Sequence, residues 1–199
     1  GGFSFRQLPQ LLRNKPLVRL YIFTLLVVTG YYTGYSYIEP FMGQVAHLSE
    51  NMITTTLMVF GIMGIIGSFA YSRFYPKRPY LFMCVAILII TTCLSSLGLA
   101  ASIPVLAMAI CGFWGMAVNG FNVAMQQEVI DNSSTEATAV AMSIYSGIYN
   151  LGIGSGTFLG GAVCTYLSIS HIGYIGGTIV FAGLLFWLIK VIRSRIIGI

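Results

Sequence analysis

Polar side chains inside otherwise apolar stretches are the residues of this sequence that could do chemistry. Tyr31, Tyr35 and Glu39 in the first stretch recur at every fourth position, which predicts that they share one face of a helix. A tyrosine offers a flat ring and a hydroxyl, which suit the binding of a sugar or a drug-like amphiphile. Glu39, the only carboxylate in these stretches, could release a proton, bind a substrate hydroxyl, or simply lie at the end of its helix.

Two further polar faces occur in the fourth and fifth apolar stretches. Asn119 and Asn122 lie three residues apart on one side of a helix, and Ser146 and Asn150 share a face of the next helix. Such groups can bond one helix to another, but three polar faces on separate helices favour a shared aqueous cavity. The predicted substrate-binding residues are therefore Tyr31, Tyr35, Glu39, Asn119, Asn122, Ser146 and Asn150.

Small residues line nearly the opposite face of the fifth stretch. Gly152, Gly156 and Gly160 are spaced four residues apart, and they carry no side chain that would hold a neighbouring helix away. This small-x-x-x-small pattern predicts a helix-packing surface.

The elements that position these residues follow from composition. The 199 residues are 57% hydrophobic and 8% charged, whereas soluble domains are about a quarter charged. A bilayer core about 30 Å thick requires about 20 apolar residues in a helix, while a barrel strand uses only about ten. We therefore predict an all-α integral membrane protein with six transmembrane helices near Leu17–Met42, Met52–Tyr71, Leu81–Leu99, Val105–Met125, Val140–Leu167 and Ile172–Ile192.

Positive charges give the predicted orientation of these helices. The ten Lys and Arg residues precede span one, lie between spans two and three, or follow span six. By the positive-inside rule that face is cytoplasmic, and both termini belong to it. The connection Gln126–Ala137 is acidic, and acidic residues count little in this rule. The net charge of +5 thus reflects topology and not a nucleic-acid partner.

The sequence also marks where several helices begin. Asn14 before Pro16, and Ser49 before Glu50, are typical of helix N-termini. Ser133 and Glu136 have the S-x-x-E spacing of a capping box ahead of the fifth helix. Residues 1–15 are expected to form a short amphipathic segment before the first span, called the lead-in, which lies on the inner membrane surface. Its apolar side chains are Phe3, Phe5, Leu8, Leu11 and Leu12.

Enzyme chemistry has no support in the sequence. The four cysteines lie in predicted spans without a C-x-x-C pair, as expected of buried free thiols. Ser155 and His171 do not match an intramembrane serine protease, because Ile153 replaces the required glycine and His171 lies in an outer connection. The only aspartate is Asp131 in a loop. We expect no catalytic residue, no cofactor and no metal site.

Two segments resemble those of a known family. Tyr35–Phe41 in the first span and Ser146–Gly156 in the fifth are similar to the C-terminal half of bacterial sugar efflux transporters. These belong to the drug:proton antiporter branch of the major facilitator superfamily. The segment from Gly67 to Arg78 resembles a degenerate copy of the superfamily's G-x-x-x-D-R loop, but it lacks the aspartate. The usual gating salt bridge is therefore not assigned to it.

The resemblance implies one half of a twelve-helix fold with 3+3 inverted repeats. Residues 1–199 would form the C-terminal six-helix domain, equivalent to helices 7–12 of the parent fold, either as part of a longer chain or as a half that pairs with another half. The implied function is proton-coupled efflux of sugars or sugar-like molecules across a bacterial inner membrane by alternating access. The partners would be a small-molecule substrate, protons, the lipid bilayer and a missing N-terminal half, which usually holds the main proton-coupling residues.

Two alternatives remain open from the sequence. A multidrug proton antiporter would also use a polar and aromatic cavity. A six-helix membrane module without transport activity would instead bind a partner through the glycine face of the fifth span.

Overall fold

A computed structural model describes residues 4–197, and every regular element in that range is helical. The chain begins with a 3₁₀ turn at Phe5–Gln7 and helix α1 at Leu8–Arg13. The helices that follow are α2 (Lys15–Tyr35), the short α3 (Ile38–Gln44), α4 (Glu50–Phe74), α5 (Pro79–Ala100), α6 (Pro104–Asp131), α7 (Thr138–Tyr166) and α8 (Ile172–Phe186). A 3₁₀ turn at Ile169–His171 precedes α8, and a π-helical turn at Trp187–Ile192 joins it to α9 (Arg193–Ile197). The predicted all-α class is confirmed.

Five helical segments are long and apolar enough to cross a membrane. They are Lys15–Gln44, Glu50–Phe74, Pro79–Ala100, Pro104–Asp131 and Ile169–Ile197. Helix α7, at 29 residues, is also long enough to cross a membrane, and serine, threonine and asparagine side chains interrupt its apolar residues. The six predicted spans thus correspond to six helical segments of membrane-spanning length, and the chain is a multi-pass membrane protein.

The packing order of the long helices has an internal symmetry. Helix α2 lies against α7 and α8, helix α6 lies against α4 and α5, and α5 lies against α8. Exchanging α2 with α6, α4 with α7, and α5 with α8 leaves this set of neighbours unchanged. Successive spans alternate in direction, so the first and fourth run oppositely and the exchange relates two inverted three-helix repeats. The chain therefore has the architecture of one half of a major facilitator fold.

Glycines let the symmetry-related pairs α2–α7 and α4–α6 pack with their backbones in contact. A Cβ added to Gly156 of α7 would lie 2.6 Å from the carbonyl oxygen of Thr29 on α2. A Cβ added to Gly67 of α4 would overlap the carbonyl of Met116 on α6. Neither position accepts a larger residue unless a helix moves. The α7 glycines that face α2 are Gly152, Gly156 and Gly160.

The first span is interrupted between α2 and α3. Pro40 has no N–H and cannot bond the carbonyl of Ser36, which lies four residues earlier. Tyr37 has left the helical conformation, with φ −120° and ψ 16°. The Ser36 hydroxyl lies 2.7 Å from Thr157 Oγ1 on α7, and this contact anchors the break. Glu39 therefore lies in a helical segment separate from the one that carries Tyr31 and Tyr35.

The lead-in and the α6–α7 connection meet at one end of the bundle. The Gln7 side chain donates a hydrogen bond to the carbonyl oxygen of Glu136 at 2.9 Å. The Asn14 side chain donates to the carbonyl oxygen of Asn132 at 2.7 Å. Of the apolar lead-in residues, Leu11 is buried, Leu8 is half-buried, Phe5 and Leu12 are exposed, and Phe3 falls outside the described residues.

Two of the three predicted helix starts are confirmed. Asn14 and Ser49 each accept a hydrogen bond from the backbone N–H three residues later, at 3.2 and 3.3 Å. The predicted capping box of Ser133 and Glu136 is wrong, because α7 begins after Ala137, which makes no side-chain capping bond. The Ser133 hydroxyl instead donates to a carbonyl at the end of α6, at 3.1 Å. The S-x-x-E pattern is present in the sequence, but the Ser133 hydroxyl is already bonded within the turn that ends α6.

Replacing Gly156 by alanine tests the close packing of α7 on α2. We expect Gly156→Ala to lower the free energy of unfolding by about 2 kcal/mol, because the new methyl group must push the helices apart. The matched control is Gly154→Ala on the same helix, where an added Cβ meets nothing within 4 Å. Thermal unfolding in detergent measures both variants. Equal melting temperatures would contradict the tight α2–α7 contact.

Candidate functional site

A cavity of about 240 Å³ lies between α4, α6 and α7. Asn119 and Asn122 line it from α6, Phe60 lines it from α4, and Tyr149 lines it from α7. Glycine at position 61 leaves room there, since a Cβ at this position would meet nothing within 4 Å. Helices α4 and α7 exchange under the internal symmetry, so the cavity lies where the two repeats meet.

The two asparagines of the cavity are held in different ways. Asn119 Nδ2 donates to the carbonyl oxygen of Gly64 at 2.5 Å and to Ser68 Oγ at 2.7 Å, so its amide joins α6 to α4. Asn122 Oδ1 accepts a hydrogen bond from the Tyr145 hydroxyl at 2.9 Å, which orients the amide. Among residues 4–197 the Asn122 amide nitrogen has no partner, so both of its N–H donors can serve a ligand.

Aromatic rings form the wall beside these amides. The rings of Tyr35 and Phe60 lie 5.0 Å apart, and Trp114 meets both of them edge-on, at 5.9 and 5.7 Å. Trp114 is fully buried, so it supports the wall from behind without lining the cavity. The hydroxyls of Tyr31 and Tyr149 are hydrogen-bonded to each other, and Tyr31 is buried. The wall is therefore a packed aromatic surface next to the amide donors.

Three predicted site residues lie away from this cavity. Ser146 and Asn150 are exposed on α7, and Asn150 belongs to a separate shallow groove. Glu39 is exposed on α3, beyond the break in the first span. The structure thus brings Asn119 and Asn122 together, with the tyrosines of α2 behind them, but it leaves the other polar groups on open surfaces.

Sequence reasoning misses two aromatic residues that shape the site. Tyr149 lines the cavity, and Tyr145 holds Asn122 by a hydrogen bond. These tyrosines lie four residues apart and so share a face of α7. That spacing was a usable signal, but the serines and asparagine on the same helix drew the prediction to a different face.

A buried carboxylate near the end of α6 was also not predicted. Glu128 is 3% exposed and lies within α6, which continues to Asp131. The connection expected at Gln126–Ala137 is therefore shorter than predicted, and the expectation that Glu39 is the only carboxylate in a span is wrong. No local pattern marks Glu128 as buried, because its partners come from distant segments.

Glu128 is held by groups from two other segments. The Tyr75 hydroxyl donates to its Oε1 at 2.6 Å, and Arg195 Nη2 donates to its Oε2 at 2.5 Å. The Arg195 guanidinium also lies 5.0 Å from the centre of the Tyr80 ring and 5.9 Å from that of Trp187. Burial raises the pKa of the Tyr75 hydroxyl, and its bond to Glu128 raises this pKa further, so Tyr75 remains a donor at neutral pH.

Six long helices in two inverted repeats, with a polar and aromatic cavity where the repeats meet, define one half of a secondary-transporter fold. The profile of the Major Facilitator Superfamily matches residues 20–196. The chain belongs to this superfamily. A "Probable sugar efflux transporter" of Mannheimia succiniciproducens is 38% identical over 194 residues, which cover 97% of this chain and 49% of that protein. The chain thus spans about half the length of this curated relative.

Separating Glu128 from Arg195 is expected to destabilise the bundle. Arg195→Met leaves the Glu128 carboxylate buried without its partner and should lower the free energy of unfolding by about 3 kcal/mol. Glu128→Gln leaves the partly exposed Arg195 guanidinium unpaired and should cost less. The double variant should lose less than the sum of the two, because no unpaired charge remains. Thermal unfolding of all four proteins gives the coupling. If the loss of stability in the double variant equals the sum of the two single losses, a direct interaction is contradicted. Glu136→Gln, which changes an exposed carboxylate, serves as the control.

Proposed function

We propose that this chain is the C-terminal half of a secondary active transporter that exports sugars or sugar-like molecules in exchange for protons. The cavity between α4, α6 and α7 supports this proposal, as does similarity to a relative whose name states sugar efflux. In such a transporter two six-helix halves hold the substrate between them near the membrane midplane. Rocking of the halves would open the site to one side of the membrane at a time.

The observation that carries the sugar assignment is the position of amide donors beside aromatic rings. Asn122 offers two N–H donors, and Phe60 and Tyr149 line the same cavity. A sugar has hydroxyls at its edges and C–H groups on its faces, so amides can replace its hydration while a ring packs on a face. No charged side chain among residues 4–197 lines this cavity, which suits a neutral solute.

The second half is proposed to cover α4 and α7. Helix α4 is the least buried of the five apolar spans, and Ser146 and Asn150 are exposed on α7. Ser146, Asn150 and Tyr35 would face the second six-helix domain. They would form the wall of the substrate site that this half contributes. Tyr31 and Asn119 would position that wall, since their polar groups are already bonded within the bundle. The main proton-coupling residues would lie in the second half, and Glu39 would contact solute only near the outer mouth.

The proposed location is the bacterial inner membrane, with both termini on the cytoplasmic side. The end of the bundle where Asn14 meets Asn132 and Arg195 meets Glu128 also carries the Lys and Arg residues of the chain. The positive-inside rule favours a cytoplasmic position for that end.

A multidrug antiporter is the second candidate. The packed rings of Tyr35, Phe60 and Trp114 favour it, because aromatic surfaces also bind lipophilic cations. The interaction module without transport activity loses its proposed docking surface. The α7 glycines already pack against α2 within the chain, so they are covered.

Transport by inside-out vesicles that contain the full-length protein tests the proposed function. We expect an imposed proton gradient to drive uptake of a labelled pentose, and a protonophore to abolish it. Competition by unlabelled neutral pentoses would support sugar export. If the vesicles transport a lipophilic cation, and pentoses neither compete nor accumulate, the multidrug assignment replaces sugar export.

Replacing Asn122 by alanine tests the cavity itself. We expect Asn122→Ala to lower pentose uptake about tenfold, because one or two hydrogen bonds of about 1 kcal/mol each are lost. The matched control is Thr92→Ala on α5, an exposed residue whose hydroxyl bonds only within its own helix. Membrane expression should remain unchanged in both variants, and only Asn122→Ala should lower the melting temperature slightly, because the buried Tyr145 hydroxyl loses its acceptor. Unaltered uptake by Asn122→Ala would remove this cavity from the substrate path.

A further inference from the structure

A second, larger cavity forms a groove on the side of the bundle between α4 and α5. Its volume is about 510 Å³. Helices α4 and α5 both pack on α6 but hardly touch each other, so α6 forms the floor of the groove. The groove is deep because the small residues Ala117 and Gly120 form its floor. The apolar side chains of Phe74, Leu81 and Val85 form its walls. Phe74, Leu81 and Val85 are exposed, so the groove is open to its surroundings along the bundle.

The length of the groove matches one leaflet of a membrane. Its lining on α5 runs from Leu81 to Ile89, and Arg78 lies just before that helix. Eleven residues of helix from Arg78 to Ile89 rise about 16 Å, at 1.5 Å per residue. Half of a bilayer hydrocarbon core is about 15 Å thick. A single acyl chain that extends from the membrane surface to the midplane therefore fits this groove in length.

Two cations stand at the surface end of the groove. Lys77 and Arg78 line it there, and both are exposed. Among the residues that the structure describes, the one ion pair joins Arg195 to Glu128, so neither cation has a carboxylate partner. Helix α5 begins directly after Arg78 without a side-chain cap, and its free N–H groups add partial positive charge. This end of the groove therefore attracts an anion.

We propose that the α4–α5 groove is a binding site for one anionic phospholipid of the leaflet that faces the basic end of the bundle. Lys77 and Arg78 bind the phosphate group, and one acyl chain lies along Leu81, Val85 and Ile89 over the floor of α6. A sugar is a poor occupant, because the hydrocarbon walls offer it no hydrogen-bond partners. The site is distinct from the cavity lined by Asn119 and Asn122, which opens on the other side of α4.

Native mass spectrometry of the purified, delipidated full-length protein tests the site. Phosphatidylglycerol and phosphatidylcholine with identical acyl chains are titrated separately. We expect about tenfold tighter binding of phosphatidylglycerol to one site, since each cation near an anionic lipid contributes several-fold. The double variant Lys77→Gln/Arg78→Gln should lose this preference. Arg73→Gln, which removes a neighbouring exposed cation outside the groove, should keep it.

Filling the groove tests the acyl chain separately from the headgroup. Val85→Trp should weaken binding of both lipids about tenfold, while Leu88→Trp, exposed on α5 outside the groove, should leave binding unchanged. Melting temperatures of all variants confirm that each one folds. If Arg73→Gln loses the preference for phosphatidylglycerol as fully as the double variant does, diffuse surface charge explains the preference. That result would overturn the site. Unchanged binding in Val85→Trp would overturn the acyl-chain groove.

Discussion

Direct contact between helix backbones at glycines is the constraint on which the rest of this bundle depends. In a membrane, lipid tails solvate apolar side chains as well as another helix does, so close van der Waals packing must hold the helices together. Gly156 on α7 and Gly67 on α4 provide that packing by removing the side chains that would separate the backbones. The two contacts are related by the inverted repeat, so one packing solution is used twice.

The position of the cavity follows from this packing. When one side of a helix packs through glycines, polar residues can occupy the other sides of that helix. On α7 the glycine side lies against α2, Tyr149 reaches the cavity beside α6, and Asn150 remains on the open surface. Asn119 joins α6 to α4 at the same level, which leaves Asn122 as the amide with free donors. The two asparagines of one helical face therefore differ, because the amide nitrogen of Asn119 bonds to α4, whereas the amide oxygen of Asn122 bonds to Tyr145.

The end of the bundle where α6 meets α9 is held by a different type of interaction. The carboxylate of Glu128 is nearly fully buried and depends on Arg195 and Tyr75 for its hydrogen bonds. A buried ion pair adds little net stability compared with apolar packing, but each partner strongly requires the other. The pair therefore fixes how the α4–α5 connection, α6 and α9 fit together. Glu39, which lies on the short helix α3 after the break, has no ion-pair partner among residues 4–197.

The sequence by itself determined the helical class, the six spans, and the faces that carry polar residues or glycines. These features depend on bilayer thickness and helical periodicity, which act locally on residues close in the chain. Only the tertiary structure decided that Glu128 pairs with Arg195, 67 residues away, that Tyr145 orients Asn122, and that Asn150 lies apart from both. Such contacts depend on which helices become neighbours, and helical periodicity specifies the face of a residue but not the partner opposite it.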